Sequence, residues 1–258
     1  MVRIVNVKYR FKKILKMLIT GRKAADDYDW QFYTGIYRDG LKDVAKDHSL
    51  VLGHGDYEFR EGTLVQKNPG LPLHPNYRII YETLLQLKPG SAMEIGCGCG
   101  DHLHNIQTLS PAIKLHGIDI SPGQLDFMKQ RHPDLNASAE QYNITVPLSK
   151  NVLPEVDVAF TQAVIMHIRK NHLNALTNLF RIAHRQVVLM ENWKRHEFMP
   201  DIQRLFDEKK LPWESVYFYY RNSDASGKPH LMIVSSRPLP QYERLTDYSV
   251  LRNTVEGI

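Results

Sequence analysis

The stretch that most constrains this chain is Ala92-Met93-Glu94-Ile95-Gly96-Cys97-Gly98-Cys99-Gly100-Asp101. A short apolar run ends in an acid, glycines fall at every second position, and a helix-like segment follows. Glycine lets a turn take positive φ and lets a ligand approach the backbone. The loop delivers that ligand to the N-terminal end of the next helix, where amide groups lack partners. An α/β sheet binds an adenosine-containing cofactor in this way, at the carboxyl ends of its strands.

The spacing selects among cofactors. A dinucleotide site is written G-x-G-x-x-G, and Gly96 and Gly98 fit its first two positions. Asp101 stands at the third, where close helix–strand packing calls for Gly or Ala. The pattern is instead E-x-G-x-G-x-G. Lys114-Leu115-His116-Gly117-Ile118-Asp119-Ile120-Ser121 reads as a second strand ending in an acid, with Asp119 19 positions after Gly100. That is the range for a carboxylate that accepts from both ribose hydroxyls. Ser121-Pro122 opens a helix, with Ser as N-cap and Pro at the first helical position. A third segment, Asp157 to Ile168, reads as a strand followed by a loop containing Gln162 and His167. In this order and spacing the three segments resemble the class I S-adenosylmethionine-dependent methyltransferases. The resemblance covers roughly residues 76 to 236.

The pattern along the chain predicts an α/β fold. Helical spacing of apolar residues runs from Tyr77 to Leu87 and ends at Lys88-Pro89-Gly90. Strands are expected at Ala92–Ile95, Lys114–Ile118, Asn136–Ala139, Val156–Thr161, Gln186–Met190, Ser215–Tyr220 and His230–Ser235. Helices are expected at 101–109, 122–130, 171–183 and 200–209. Alternation of this kind implies a mostly parallel, seven-stranded sheet with helices on both faces. The short link 221–228 implies a hairpin, and so an antiparallel last strand, as in the family. The resulting division is an N-terminal helical and irregular extension (1–75), a cofactor-binding domain (76–236) and a tail (237–258). Residues 24–75 read as short helices and loops. The resemblance implies that such a segment covers the cofactor, with Tyr33 and Tyr37 as closing aromatics; the residues alone are equally consistent with core packing.

Composition excludes several classes. No apolar run approaches the ~20 residues of a membrane span, and no signal peptide is expected. The two cysteines, Cys97 and Cys99, lie in the glycine loop; a C-x-C pair cannot by itself complete a four-ligand zinc site, nor does it suggest a disulfide framework. They read as small loop residues in a reducing cytoplasm. Net charge is +5, and residues 1–23 hold eight Lys/Arg and no acid. Ile4, Val7, Phe11, Ile14, Leu15 and Leu18 recur at helical spacing there. This basic amphipathic helix either packs on its own domain or lies against a partner protein or the inner face of a membrane. No nucleic-acid module is present, and none is expected as a partner.

The resemblance implies roles for single residues. Glu94 organises the methionine amino group of the cofactor, or else caps the glycine turn. Gly96, Gly98 and Gly100 face the methionine and ribose. Asp119 accepts from the ribose hydroxyls, and Ile120 packs on the adenine edge. Ala139-Glu140 occupies the place of an acid that contacts the adenine amino group, though Glu140 also reads as a plain surface residue. Gln162 reaches the donor or the acceptor. His167 is a general base or a residue that only pins its loop; His102, His104 and His172 are weaker candidates. No metal is expected. The implied function is methyl transfer from S-adenosylmethionine, leaving S-adenosylhomocysteine, to a hydroxyl or amine of a small molecule or glycan. The alternatives are a nicotinamide-dependent oxidoreductase, against which Asp101 argues, and a non-catalytic relative that keeps the pocket.

Overall fold

The computed structural model describes residues 51–68, 72–149, 152–192, 195–222 and 230–249. The basic helix expected within 1–23, and Tyr33 and Tyr37, lie outside the described residues. The described chain begins with a hairpin, β1 (Tyr57–Arg60) and β2 (Thr63–Gln66). Helix α1 (Pro75–Leu87) follows, and then the alternating series β3 (Ser91–Ile95), α2 (Asp101–Leu109), β4 (Lys114–Asp119), α3 (Pro122–Arg131) and β5 (Ala137–Gln141). The second half is β6 (Val156–Gln162), a 3-10 turn (Ile165–His167), α4 (His172–Ile182), β7 (Ala183–Glu191), α5 (Phe198–Asp207), β8 (Tyr217–Arg221), β9 (His230–Ser235) and β10 (Arg244–Leu245).

Eight strands form one sheet in the order β10-β8-β9-β7-β6-β3-β4-β5. The expected seven are all present, and the eighth is the two-residue β10, contributed by a tail whose sequence carries no strand pattern. β3 through β7 pair in parallel, whereas β9 runs antiparallel to both β7 and β8. The chain runs outward from β3 to β5 and then crosses back to place β6 on the other side of β3. The order of strands therefore reverses between β3 and β6, where an open α/β sheet leaves a crevice at its carboxyl end.

The central strands are buried on both faces, and successive side chains feed two separate cores. Val158, Phe160, Val188 and Met190 join Ile80, Leu84 and Leu103 on the face covered by α1, α2 and α3. Ala159, Val187 and Leu189 join Leu176, Phe180 and Ile202 on the face covered by α4 and α5. This is why the strands read as continuous apolar runs rather than alternating ones. β5 is the exception: it is a half-exposed edge strand, and its sequence carries little pattern.

The segment before α1 differs from its expected irregular structure. β1 and β2 pair antiparallel through Glu61-Gly62, where both residues have positive φ, 48° and 83°. A two-residue turn of this kind matches the twist of the strands it joins. The hairpin is fixed to the domain by the Leu64 N–H donating to Glu82 Oε1 at 3.0 Å and the Leu73 N–H donating to the Tyr57 hydroxyl at 2.9 Å.

Candidate cofactor cleft

The loop after β3 takes the conformation that its glycines permit. Gly96, Gly98 and Gly100 have φ of 74°, 53° and 79°. A Cβ at Gly96 would sit 2.5 Å from Val164 Cγ2, and one at Gly100 would sit 2.4 Å from Met128 Cγ. Gly96 is thus crowded by the loop that follows β6, and the two loops meet at the strand-order reversal. At Gly98 no such crowding exists: a Cβ there would meet only Gln124 Oε1, at 4.0 Å. Gly96 and Cys97 donate to the Ile118 carbonyl at 2.7 and 3.0 Å, which ties the loop to β4. Gly100 caps α2, whose first-turn Asp101 is held by Arg131 and His132 at 2.6 and 2.7 Å. Asp101 is therefore a structural anchor between α2 and α3.

Asp119 ends β4 and is buried. Its Oδ2 accepts from Gly98 N at 2.9 Å and its Oδ1 from Ser121 N at 2.8 Å. Burial raises its pKa while the two amides lower it, and burial dominates. Each oxygen keeps capacity for a further donor. Ile120, next along, is 45% exposed, a large apolar side chain left open beside the cleft.

Glu94 is 2% exposed, and its Oε2 has no hydrogen-bond partner among the described residues. Burial pushes its carboxyl well above the usual range, and the negative charges of Asp119 and Asp101 push it the same way. A buried carboxyl with an open oxygen suits a cation or strong donor supplied by a ligand. Gln124 Oε1 is likewise buried without a partner.

The expected residues are not all brought together. Glu94, the three glycines, Asp119, Ile120 and Gln162 lie at neighbouring strand ends around the reversal. Ala139 lies one strand further out, packed against the face shared with α2 and α3. Glu140 is exposed on edge strand β5. It is Gln141, not Glu140, that stands opposite Asp119 and donates to the Ile120 carbonyl at 3.2 Å. His167 lies half-buried in the 3-10 turn, its pKa lowered by burial and by the Arg195 charge. His102 touches Gln162, whereas His104 stacks on His132 at 4.6 Å and His172 on His196 at 4.0 Å.

One organising residue is absent from the sequence reading. Glu191, fully buried at the end of β7, accepts from Thr161 Oγ1 at 2.7 Å, Val164 N at 3.0 Å and Ile165 N at 3.1 Å through Oε1. Its Oε2 accepts from Met166 N at 3.0 Å. It shapes the loop that carries His167 and includes Ala163 at φ 53°. The signal was available: β7, like β4, is an apolar run that ends in an acid. Among the described residues, no group of three or more His, Cys, Asp or Glu is placed to hold a metal ion, and no helix is long and apolar enough to cross a membrane.

Residues 93–189 match a family model described as a methyltransferase domain. Among solved structures, the chain is similar to a TehB-like SAM-dependent methyltransferase from Corynebacterium glutamicum, with 15% identity, a TM-score of 0.52, and coverage of 81% of this chain and 100% of that one. It also matches the methyltransferase domain of bacterial CtHen1, at 18% identity and TM-score 0.49, over 62% of this chain and 96% of that one. No curated protein sequence matches. The family match spans the glycine loop through β7, and the Corynebacterium structure shares the fold. Residues 93–189 thus match a methyltransferase domain, and the fold is one that S-adenosylmethionine-dependent methyltransferases share.

Proposed function

We propose that the cleft binds S-adenosylmethionine and that the protein transfers its methyl group to a hydroxyl or amine of a small molecule or glycan. The observation that carries the cofactor assignment is Glu94, a buried carboxyl with an open oxygen beneath a glycine loop. It is matched to an ammonium at the amino-acid end of the cofactor. Asp119 suits the ribose hydroxyls, because it retains acceptor capacity and is already oriented by Gly98 and Ser121. Ile120 supplies an exposed apolar face for adenine. These groups fit an adenosine bearing an amino acid better than a dinucleotide, since Asp101, tied to Arg131 and His132, fills the position where a pyrophosphate site needs a small residue.

When bound, the cofactor supplies an electrophilic methyl on sulfur. The protein's part is alignment and exclusion of water. The loop held by Glu191 carries His167, the residue we assign to take a proton from a hydroxyl acceptor. A neutral amine would need only positioning.

Calorimetry with S-adenosylmethionine and S-adenosylhomocysteine tests the reading. Binding at micromolar to sub-millimolar levels, about −5 to −8 kcal/mol, is expected. A folded sample giving neither heat nor thermal shift refutes it. Screening hydroxyl and amine acceptors with labelled methyl donor then tests the substrate class.

A further inference from the structure

A line of side-chain hydrogen bonds runs from Gln162, at the end of β6, into the core, and ends on a backbone amide. The Leu52 N–H donates to Asn105 Oδ1 at 2.8 Å. A main-chain N–H can only donate, so Asn105 is fixed with its oxygen toward Leu52 and its NH2 turned the other way. That NH2 donates to the Tyr81 hydroxyl oxygen at 3.0 Å. The Tyr81 proton is then directed to His102 Nδ1, 2.8 Å away. Nδ1 accepts, so the neutral ring carries its proton on Nε2, and Nε2–H donates to Gln162 Oε1. Burial holds the His102 pKa down at about 4, so the ring is neutral near pH 7. Tyr81 and Asn105 are fully buried, and the Tyr77 ring sits edge-on to His102 at 4.4 Å.

We infer that this relay makes Gln162 a directional donor, held by His102 as a positioning residue, and that its NH2 receives the carboxylate at the amino-acid end of the cofactor. The inference rests on the proposed cofactor reading. Thr161 pairs with Ile95 across the sheet, so Gln162 stands beside Gly96 at the first turn of the glycine loop. An amino-acid end presents an ammonium and a carboxylate side by side. Glu94 suits the first and repels the second. A freely rotating Gln162 would present its oxygen to the carboxylate half the time; the relay fixes the amide with nitrogen outward.

The relay is read first without ligand, from the ¹⁵N-imidazole NMR signals of the full chain at pH 7. A neutral His102 protonated on Nε2 is expected; an Nδ1-protonated or cationic ring overturns the relay. Calorimetry then uses S-adenosylhomocysteine and 5′-methylthioadenosine, which lacks the amino-acid end. Gln162→Glu should weaken S-adenosylhomocysteine by roughly 10–150-fold, as expected for a bond to a charged group, and leave methylthioadenosine nearly unchanged. Tyr81→Phe should remove the single Nε2–H tautomer and weaken S-adenosylhomocysteine alone. Unchanged affinity in Gln162→Glu, or equal losses for both ligands, overturns the carboxylate assignment. If the wild-type chain binds neither ligand, the cofactor reading itself fails, and the ligand-free tautomer still decides the relay.

Discussion

Replacing Glu191 by glutamine tests how the cleft is held open on its second side. The carboxylate accepts four hydrogen bonds, three of them from backbone N–H groups of one loop. Glu191→Gln has nearly the same shape. With its oxygen in the Oε1 position, it keeps the Thr161, Val164 and Ile165 bonds but points an NH2 at the Met166 N–H. One buried donor loses its partner, which costs about 1–3 kcal/mol. The retained bonds change from charge-assisted to neutral, and such bonds are roughly half as strong. A total of about 2–4 kcal/mol follows, and for a domain of this size that lowers Tm by roughly 5–15 °C. The assay is thermal unfolding of wild type and Glu191→Gln at pH 7, with denaturant titration as an independent measure. Methyl transfer should fall by more than the folded fraction, because the His167 loop loosens. A stability change below about 0.5 kcal/mol, the range of an inert surface substitution, would show that the loop does not depend on this carboxylate.

Glu94→Gln should act in the opposite direction on the free protein. Burial and neighbouring acids raise the folded pKa of Glu94, so its favourable contribution is present below the unfolded value and is lost as pH rises through the folded one. The variant should therefore be more stable than wild type at neutral pH, by a margin that grows from acid toward neutral in thermal scans, yet bind cofactor more weakly by calorimetry. Asp119→Asn should cost roughly 1.5–3 kcal/mol of S-adenosylhomocysteine affinity; because Asp119 also holds Gly98, limited proteolysis should show a looser glycine loop, and unchanged affinity would remove the ribose assignment. If His167 is the base for a hydroxyl acceptor, His167→Ala should lower kcat roughly 10²–10⁴-fold. Because burial and Arg195 depress its pKa, the rising limb of the wild-type pH–rate profile should lie below the ordinary histidine value of 6.5 and vanish in the variant.

The alternating segments, the glycine loop and the acids at strand ends were legible in the sequence because each is a local demand. Positive φ together with a Cβ clash demands glycine at Gly96 and Gly100, Ser121-Pro122 starts α3 by its own chemistry, and the double-sided burial of β6 and β7 writes itself as apolar runs. The hairpin at 57–66 was less legible because Glu61-Gly62 is a weaker turn signal than Asn-Gly, and edge strand β5 because half its surface is wet. Tertiary structure alone decided which distant residues share a site. It placed Gln141 rather than Glu140 opposite Asp119, set Glu191 against the loop of β6, and joined Leu52, Asn105, Tyr81 and His102 to Gln162. No local pattern contains those pairings. They arise because the parallel register aligns strand ends far apart in the chain, and because a buried polar group must find its partner in whatever the packing brings near.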